Sequence, residues 1–299
     1  MENNSNYELA DMERAFSRAR REKPAYSHML PMLEILRVQQ VRAREALNPP
    51  ALDLVPETVA TKWREGLPIL NRWDFPVDPQ SAEELLKRMH SAIPSDNDQL
   101  RRVHASLMDA VGRNGPQKQA LWQSFLHHDM EPWEEWLEVD EKDLPSLLFL
   151  ARSCIRPSLE RTARDLLRNF TLPPNWFKGY CPVCGSLPSL LFLLGNGEKS
   201  GYCSWCGTEW GLHRLQCPVC DNRSHESQGY LYLEAEPHYR IPYCSLCGTY
   251  FKLIDAREWT EPPYFPLEEW ITLHLDLLAQ KAGWKPPMSP SPAIYGREK

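Results

Sequence analysis

Eight of the nine cysteines in this 299-residue chain form four Cys-x-x-Cys pairs: Cys181/Cys184, Cys203/Cys206, Cys217/Cys220 and Cys244/Cys247. Two thiolates three positions apart on a tight turn can grip one tetrahedral ion, and two such turns complete a four-sulfur shell. Paired along the chain, they predict two closed metal sites, Cys181, Cys184, Cys203 and Cys206 at one and Cys217, Cys220, Cys244 and Cys247 at the other. Four thiolates leave no open position, so the metal is expected to be structural rather than catalytic. The pairs alternate between Cys-Pro-Val-Cys and Cys-Ser-x-Cys, which reads as an internal duplication. The residue after each second cysteine is Gly185, Gly207, Asp221 or Gly248. A positive φ there lets backbone N–H groups face the sulfurs, a conformation that glycine adopts freely and aspartate tolerates.

Other uses of paired cysteines fit less well. A disulfide framework belongs to small secreted chains, and no apolar signal segment is read after Met1 of a chain long enough to fold without staples. A thioredoxin-like dithiol is a single pair at a helix start, not a duplicated array. Tetrahedral sulfur suits zinc and iron alike, so the spacing leaves the metal open. The ninth cysteine, Cys154, lies in an apolar helical run that supplies no base, and reads as a core residue. His127 and His128 would point about 100° apart on a helix, which disfavours a shared metal. His213 reads as a linker residue between the two cysteine groups.

The chain is 42% hydrophobic and 25% charged, with a formal net charge of −6. Residues 179–258 carry six Lys/Arg against eight Asp/Glu, so the cysteine-rich block lacks the basic footprint of a nucleic-acid binder. No apolar run reaches the roughly 18 residues of a membrane span. No membrane insertion is expected, and the reducing cytoplasm is the expected location.

The elements that position the cysteines follow from periodicity. Apolar residues at helical spacing predict helices over Asp11–Arg21, Tyr26–Leu47, Asp98–Val111, Gln117–His127, Pro132–Leu137 and Leu144–Phe170, with Pro157 kinking or dividing the last. Ser81 and Glu84 form a capping box opening another. Broad apolar faces on helices of this length require a bundle. Within the metal block, Leu187–Leu194, Gly229–Glu234 and Tyr239–Tyr243 read as strands, with a turn at Gly195-Asn-Gly-Glu. The Trp63–Asp78 segment, broken by Pro68 and Pro76, reads as a loop whose apolar residues plug the bundle. The fold class is therefore α+β and multidomain. A helical domain spans 1–175, and two tandem rubredoxin-like or zinc-ribbon modules follow at 176–212 and 213–258. A helix in 259–285 packs back through Trp270, Leu273, Leu277 and Leu278, and a Pro/Ser-rich tail over 286–299 is expected to be mobile.

Gly179-Tyr-Cys-Pro-Val-Cys-Gly-Ser, Tyr239-Arg-Ile-Pro-Tyr-Cys-Ser-Leu-Cys-Gly-Thr-Tyr-Phe-Lys and Leu273-His-Leu-Asp-Leu-Leu-Ala-Gln-Lys-Ala-Gly resemble the formate dehydrogenase accessory protein family, FdhE. Arg156-Pro-Ser-Leu-Glu-Arg-Thr-Ala and Gly66-Leu-Pro-Ile-Leu resemble it in the same order. The resemblance implies a cytoplasmic assembly factor, a proofreading-type chaperone that binds the catalytic subunit of respiratory formate dehydrogenase before twin-arginine export and is not itself an enzyme. It also implies rubredoxin-like iron on the eight cysteines, favouring iron over zinc. A rubredoxin-like electron carrier and a ribbon-based nucleic-acid binder are the alternatives. A symmetric homodimer is the default assembly.

Overall fold

The computed structural model describes residues 2–49, 52–113, 118–127, 137 and 140–288. All but the last residue of the expected helix Pro132–Leu137 lies outside this set, as do His128 and residues 289–299 of the tail. Contacts divide the chain into two compact units. One combines Met1–Asp53 with Arg72–Asp165, the other Leu54–Asn71 with Leu166–Lys299. The helices are α1 (Glu2–Glu22), α2 (Leu30–Ala46), α3 (Pro56–Arg64), α4 (Pro79–Met89), α5 (Asp98–Arg113), α6 (Lys118–His127) and α7 (Leu144–Asn169). Only α3 among these falls wholly in the second unit.

The helical unit follows its sequence pattern. In α5, Leu100, Val103, His104, Leu107, Ala110 and Val111 are buried, the i, i+3, i+4, i+7 stripe of an amphipathic helix. Each fully buried apolar side chain of this kind stabilises by about 2 kcal/mol. α4 starts two residues before the expected capping box. Asp78 is its N-cap, accepting a 2.8 Å bond from the Ser81 N–H, and Pro79 takes the first turn, where no donor is needed. Pro157 does not divide α7, which runs unbroken from Leu144 to Asn169. A proline removes the hydrogen bond to the carbonyl four residues back. Here that carbonyl, Ser153 O, accepts from Gln40 Nε2 at 2.9 Å.

The Arg156–Ala163 motif forms a buried ion cluster. Glu160 accepts from Arg37 at 2.9 and 3.1 Å, from Arg44 at 2.9 Å and from Arg156 at 2.7 Å. Burial alone would raise the Glu160 pKa, but Arg37, Arg156 and Arg44 outweigh it and hold the carboxyl well below the usual range. Cys154 is buried and in contact with Met89, and burial pushes its thiol far up, as suits an inert core residue.

The second unit is built on one sheet of seven strands: β1 (Leu190–Leu193), β2 (Lys199–Tyr202), β3 (Glu209–Leu212), β4 (Gln228–Tyr232), β5 (Tyr239–Cys244), β6 (Thr249–Tyr250) and β7 (Leu253–Asp255). The order is β3-β2-β1-β7-β5-β4, with β6 on β5. Each cysteine group has its own antiparallel strands, and β7 joins them. It runs parallel to β1, with Leu191 opposite Leu253, and antiparallel to β5. The two ribbon segments thus share one sheet.

The C-terminal helix expected as one piece is two, α8 (Phe265–Glu268) and α9 (Leu273–Lys281), separated where the Thr272 hydroxyl bonds back to Glu268 O at 2.6 Å. Its buried face is only partly the expected one: Leu278 packs against the core as expected. Leu275 and Ala279 join Phe192, Tyr239, Ile241, Tyr250 and Ile254 in the core, whereas Leu273 and Leu277 are exposed, Leu277 at 70%. Among the described residues, no helix is long and apolar enough to cross a membrane.

Candidate metal centre

Each Cys-x-x-Cys pair closes the same turn. The N–H of the residue after the second cysteine donates to the carbonyl of the first: Gly185 to Cys181 at 2.9 Å, Gly207 to Cys203 at 2.8 Å, Asp221 to Cys217 at 3.0 Å and Gly248 to Cys244 at 2.8 Å. All four of these residues have positive φ, +73°, +78°, +55° and +73° in that order. The turn aims backbone donors at sulfur. The N–H groups of Cys220 and Val219 face Cys217, and those of Cys247 and Leu246 face Cys244. Burial would raise the Cys244 thiol, but these donors and the Asn222 amide draw it down to about 7.

The sulfurs gather in two groups, Cys181, Cys184, Cys203 and Cys206, and Cys217, Cys220, Cys244 and Cys247, each within 4.8 Å of one another. In the first, Sγ–Sγ separations are 3.6 Å for Cys181–Cys206, 3.5 Å for Cys184–Cys203 and 3.6 Å for Cys184–Cys206. In the second they are 3.7 Å for Cys217–Cys247 and 3.8 Å for Cys220–Cys244. A disulfide needs about 2.05 Å, whereas a tetrahedron with metal–sulfur bonds of about 2.3 Å has edges of roughly 3.8 Å. Donor type and spacing therefore fit a tetrathiolate ion, and both groups could hold one. Such an ion would cross-link two turns and, if iron, add a one-electron couple.

A set of supporting side chains escapes the Cys-x-x-Cys reading. The second residue past each pair is Ser186, Thr208, Asn222 or Thr249. At three of the four positions it reaches a sulfur. Thr208 Oγ1 lies 3.2 Å from Cys206 Sγ, Thr249 Oγ1 lies 2.9 Å from Cys247 Sγ, and Asn222 Nδ2 donates to Cys244 Sγ at 3.6 Å. The signal was the recurrence of a small polar residue at one offset in all four motifs. Such donors disperse thiolate charge and fix sulfur orientation.

The surroundings tie the two groups together. Gly179 packs so close to Pro218 that a Cβ would lie 2.0 Å from the Pro218 carbonyl oxygen, which requires glycine there. Gln216, buried just before Cys217, donates to Phe177 O at 2.6 Å and Asp221 Oδ1 at 2.7 Å. Its carbonyl accepts from the buried Lys199 ammonium at 2.7 Å. Burial draws the Lys199 pKa down to about 8, against the pull of the Cys217 thiolate. His213 does not join either sulfur group. Its ring stacks on Phe177, with centroids 4.3 Å apart.

The apolar segment expected to plug the bundle is divided between the units. Trp73 O accepts from Gln123 in the helical unit. Residues up to Asn71 instead pack on the Cys181–Cys184 turn, the first of the four cysteine knuckles. Ile69 N donates to Pro182 O at 3.0 Å, Leu70 N to Val183 O at 2.9 Å and Trp63 Nε1 to Pro182 O at 3.1 Å, while the Tyr180 hydroxyl donates to Gly66 O at 2.6 Å.

No family model matches the chain. It is 37% identical over 114 residues, 36% of its own length and 40% of the other's, to a protein named FdhE homolog from Aquifex aeolicus. It is 35% identical over 85 residues, 27% of each chain, to one of that name from Pectobacterium carotovorum. These matches span well under two thirds of the relatives' lengths. The crystal structure of the FdhE protein from Pseudomonas aeruginosa aligns with a TM-score of 0.65 over 97% of both chains, at 19% identity. The likeness to the formate dehydrogenase accessory proteins read from the sequence is thus met by relatives that carry the FdhE name and by a solved FdhE structure of the same fold.

Proposed function

We propose that this chain is a formate dehydrogenase accessory protein of the FdhE type. It acts in the cytoplasm as an assembly factor, holding the catalytic subunit of respiratory formate dehydrogenase before twin-arginine export. Cys181, Cys184, Cys203 and Cys206 ligate one metal ion and Cys217, Cys220, Cys244 and Cys247 a second, with iron favoured over zinc. The observation that carries the reading is the fold shared with an FdhE structure over 97% of both chains, in a chain whose eight paired cysteines form two four-sulfur groups. The chain itself catalyses no reaction on formate. Its rigid sheet unit supplies a binding surface.

Oxygen-free affinity purification from cells making formate dehydrogenase tests this, beside a variant with all eight paired cysteines changed to Ser. Capture of the catalytic subunit by the wild type alone supports a metal-dependent assembly role. Capture by neither folded form overturns it. A rubredoxin-like electron carrier is the second reading, favoured by the exposure of Cys220 in the second group. Zinc in protein prepared without oxygen eliminates that reading.

A further inference from the structure

Within the sheet unit, α3 and the 169–178 segment enclose a cleft of about 630 Å³, inside the range of ligand-binding clefts. Its walls include the rings of Trp63, Trp176 and Phe170, with Arg64, Lys178 and Asn175 among its polar groups. Both indole N–H groups are already used, Trp63 Nε1 on Pro182 O and Trp176 Nε1 on Tyr180 O, each at 3.1 Å. Trp63 and Trp176 are only 8% and 4% exposed, so they contribute narrow apolar strips to the floor of the cleft, and hydrogen bonding falls to the exposed guanidinium, ammonium and amide groups. Among the described residues no carboxylate lines the cleft, which carries two cations against no anion. Charge complementarity thus selects an anionic occupant, and the aromatic walls select one with apolar groups beside the charge.

We propose that this cleft binds an acidic peptide segment of a client protein, seating an apolar side chain against Trp63 and Trp176 and carboxylates on Arg64 and Lys178. The identification of the occupant as a protein segment rests on the assembly-factor reading. Tyr180 and Pro182 flank Cys181, so both indoles hang on the backbone of the first knuckle.

The test uses the full chain with both sulfur groups metal-loaded and its tryptophan indoles labelled with 15N, the Trp63 and Trp176 signals assigned from Trp→Phe variants. The probe is a capped pentapeptide alternating glutamate and leucine, beside its glutamine counterpart. The expected result is a saturable shift of both signals with the acidic peptide alone, weakened about tenfold or more in Arg64→Ala/Lys178→Ala. Both replaced residues are exposed, and unchanged metal content shows that the variant is folded. No shift at millimolar peptide, or equal shifts with the glutamine peptide, overturns the proposal. Purification of the formate dehydrogenase catalytic subunit on wild type and double variant separates the two readings. Equal capture by both removes the cleft as the client site. A peptide shift without capture by either removes the assembly reading and leaves the acidic-peptide cleft standing.

Discussion

The two sulfur groups are built from the same turns yet differ in what covers them. In the first, all four cysteines are buried; in the second, Cys220 is exposed and Cys247 half-buried. Equivalent residues at the knuckle tips show why. Val183 is 0% exposed and its counterpart Val219 41%, while Trp205 is 6% exposed and its counterpart Leu246 69%. The first group is roofed by Ile69 and Leu70, which hydrogen-bond to Pro182 and Val183. Local sequence makes the four-cysteine turn, and a segment more than a hundred residues away decides whether that turn is sealed. A sealed tetrathiolate is a core element, whereas an open one can exchange its ion and meet a partner.

The largest expected difference comes from the ligands. Cys203→Ser should remove one metal equivalent and destabilise the sheet unit by several kcal/mol, since binding at a structural site of this kind is coupled to folding and reaches roughly 10–16 kcal/mol for zinc in zinc-finger peptides. Cys220→Ser should remove one equivalent at a much smaller cost. Metal content and thermal unfolding of the two variants check this, and equal losses of stability would break the comparison. The knuckle tips come next: Trp205→Ala should cost about 3–5 kcal/mol, while Leu246→Ala should stay within about 0.5 kcal/mol of wild type, both read by denaturant unfolding. Gly179→Ala should cost about 3 kcal/mol by forcing Pro218 away, and a silent substitution there would mean that the two halves are not locked together. Asn222→Ala should cost about 1 kcal/mol from the lost amide donor. It should speed release of the second ion to a chelator while leaving the first unchanged.

Much of this was legible in the sequence. Four turns, their pairing and the helical half follow from spacing and periodicity, because a knuckle and an amphipathic helix are each set by a few adjacent residues. What eluded the sequence depends on distant partners. Asp78 outcompetes Ser81 as a helix cap because Pro79 starts the helix early. Pro157 is tolerated because Gln40 fills the carbonyl it vacates. The last helix shows Leu277 to solvent because the sheet offers its surface to Leu275 and Ala279 instead. The exposure of Cys220 was equally illegible, since Val219 and Val183 sit in identical Cys-Pro-Val-Cys motifs.

The crossing of the chain between its two units sets the order in which it can be finished. The sheet unit takes Leu54–Asn71 from the interior of the helical unit's sequence, so neither unit is one continuous stretch. On the ribosome, Trp63, Ile69 and Leu70 emerge more than a hundred residues before Pro182 and Val183, their hydrogen-bonding partners. They wait through that interval as exposed apolar surface. The β1–β7 pairing imposes a second delay, since Leu191 must hold until Leu253 is made. A product truncated after Asp165 would carry this apolar segment with nothing to cover it, and such fragments should aggregate or be degraded rather than persist as a free helical half.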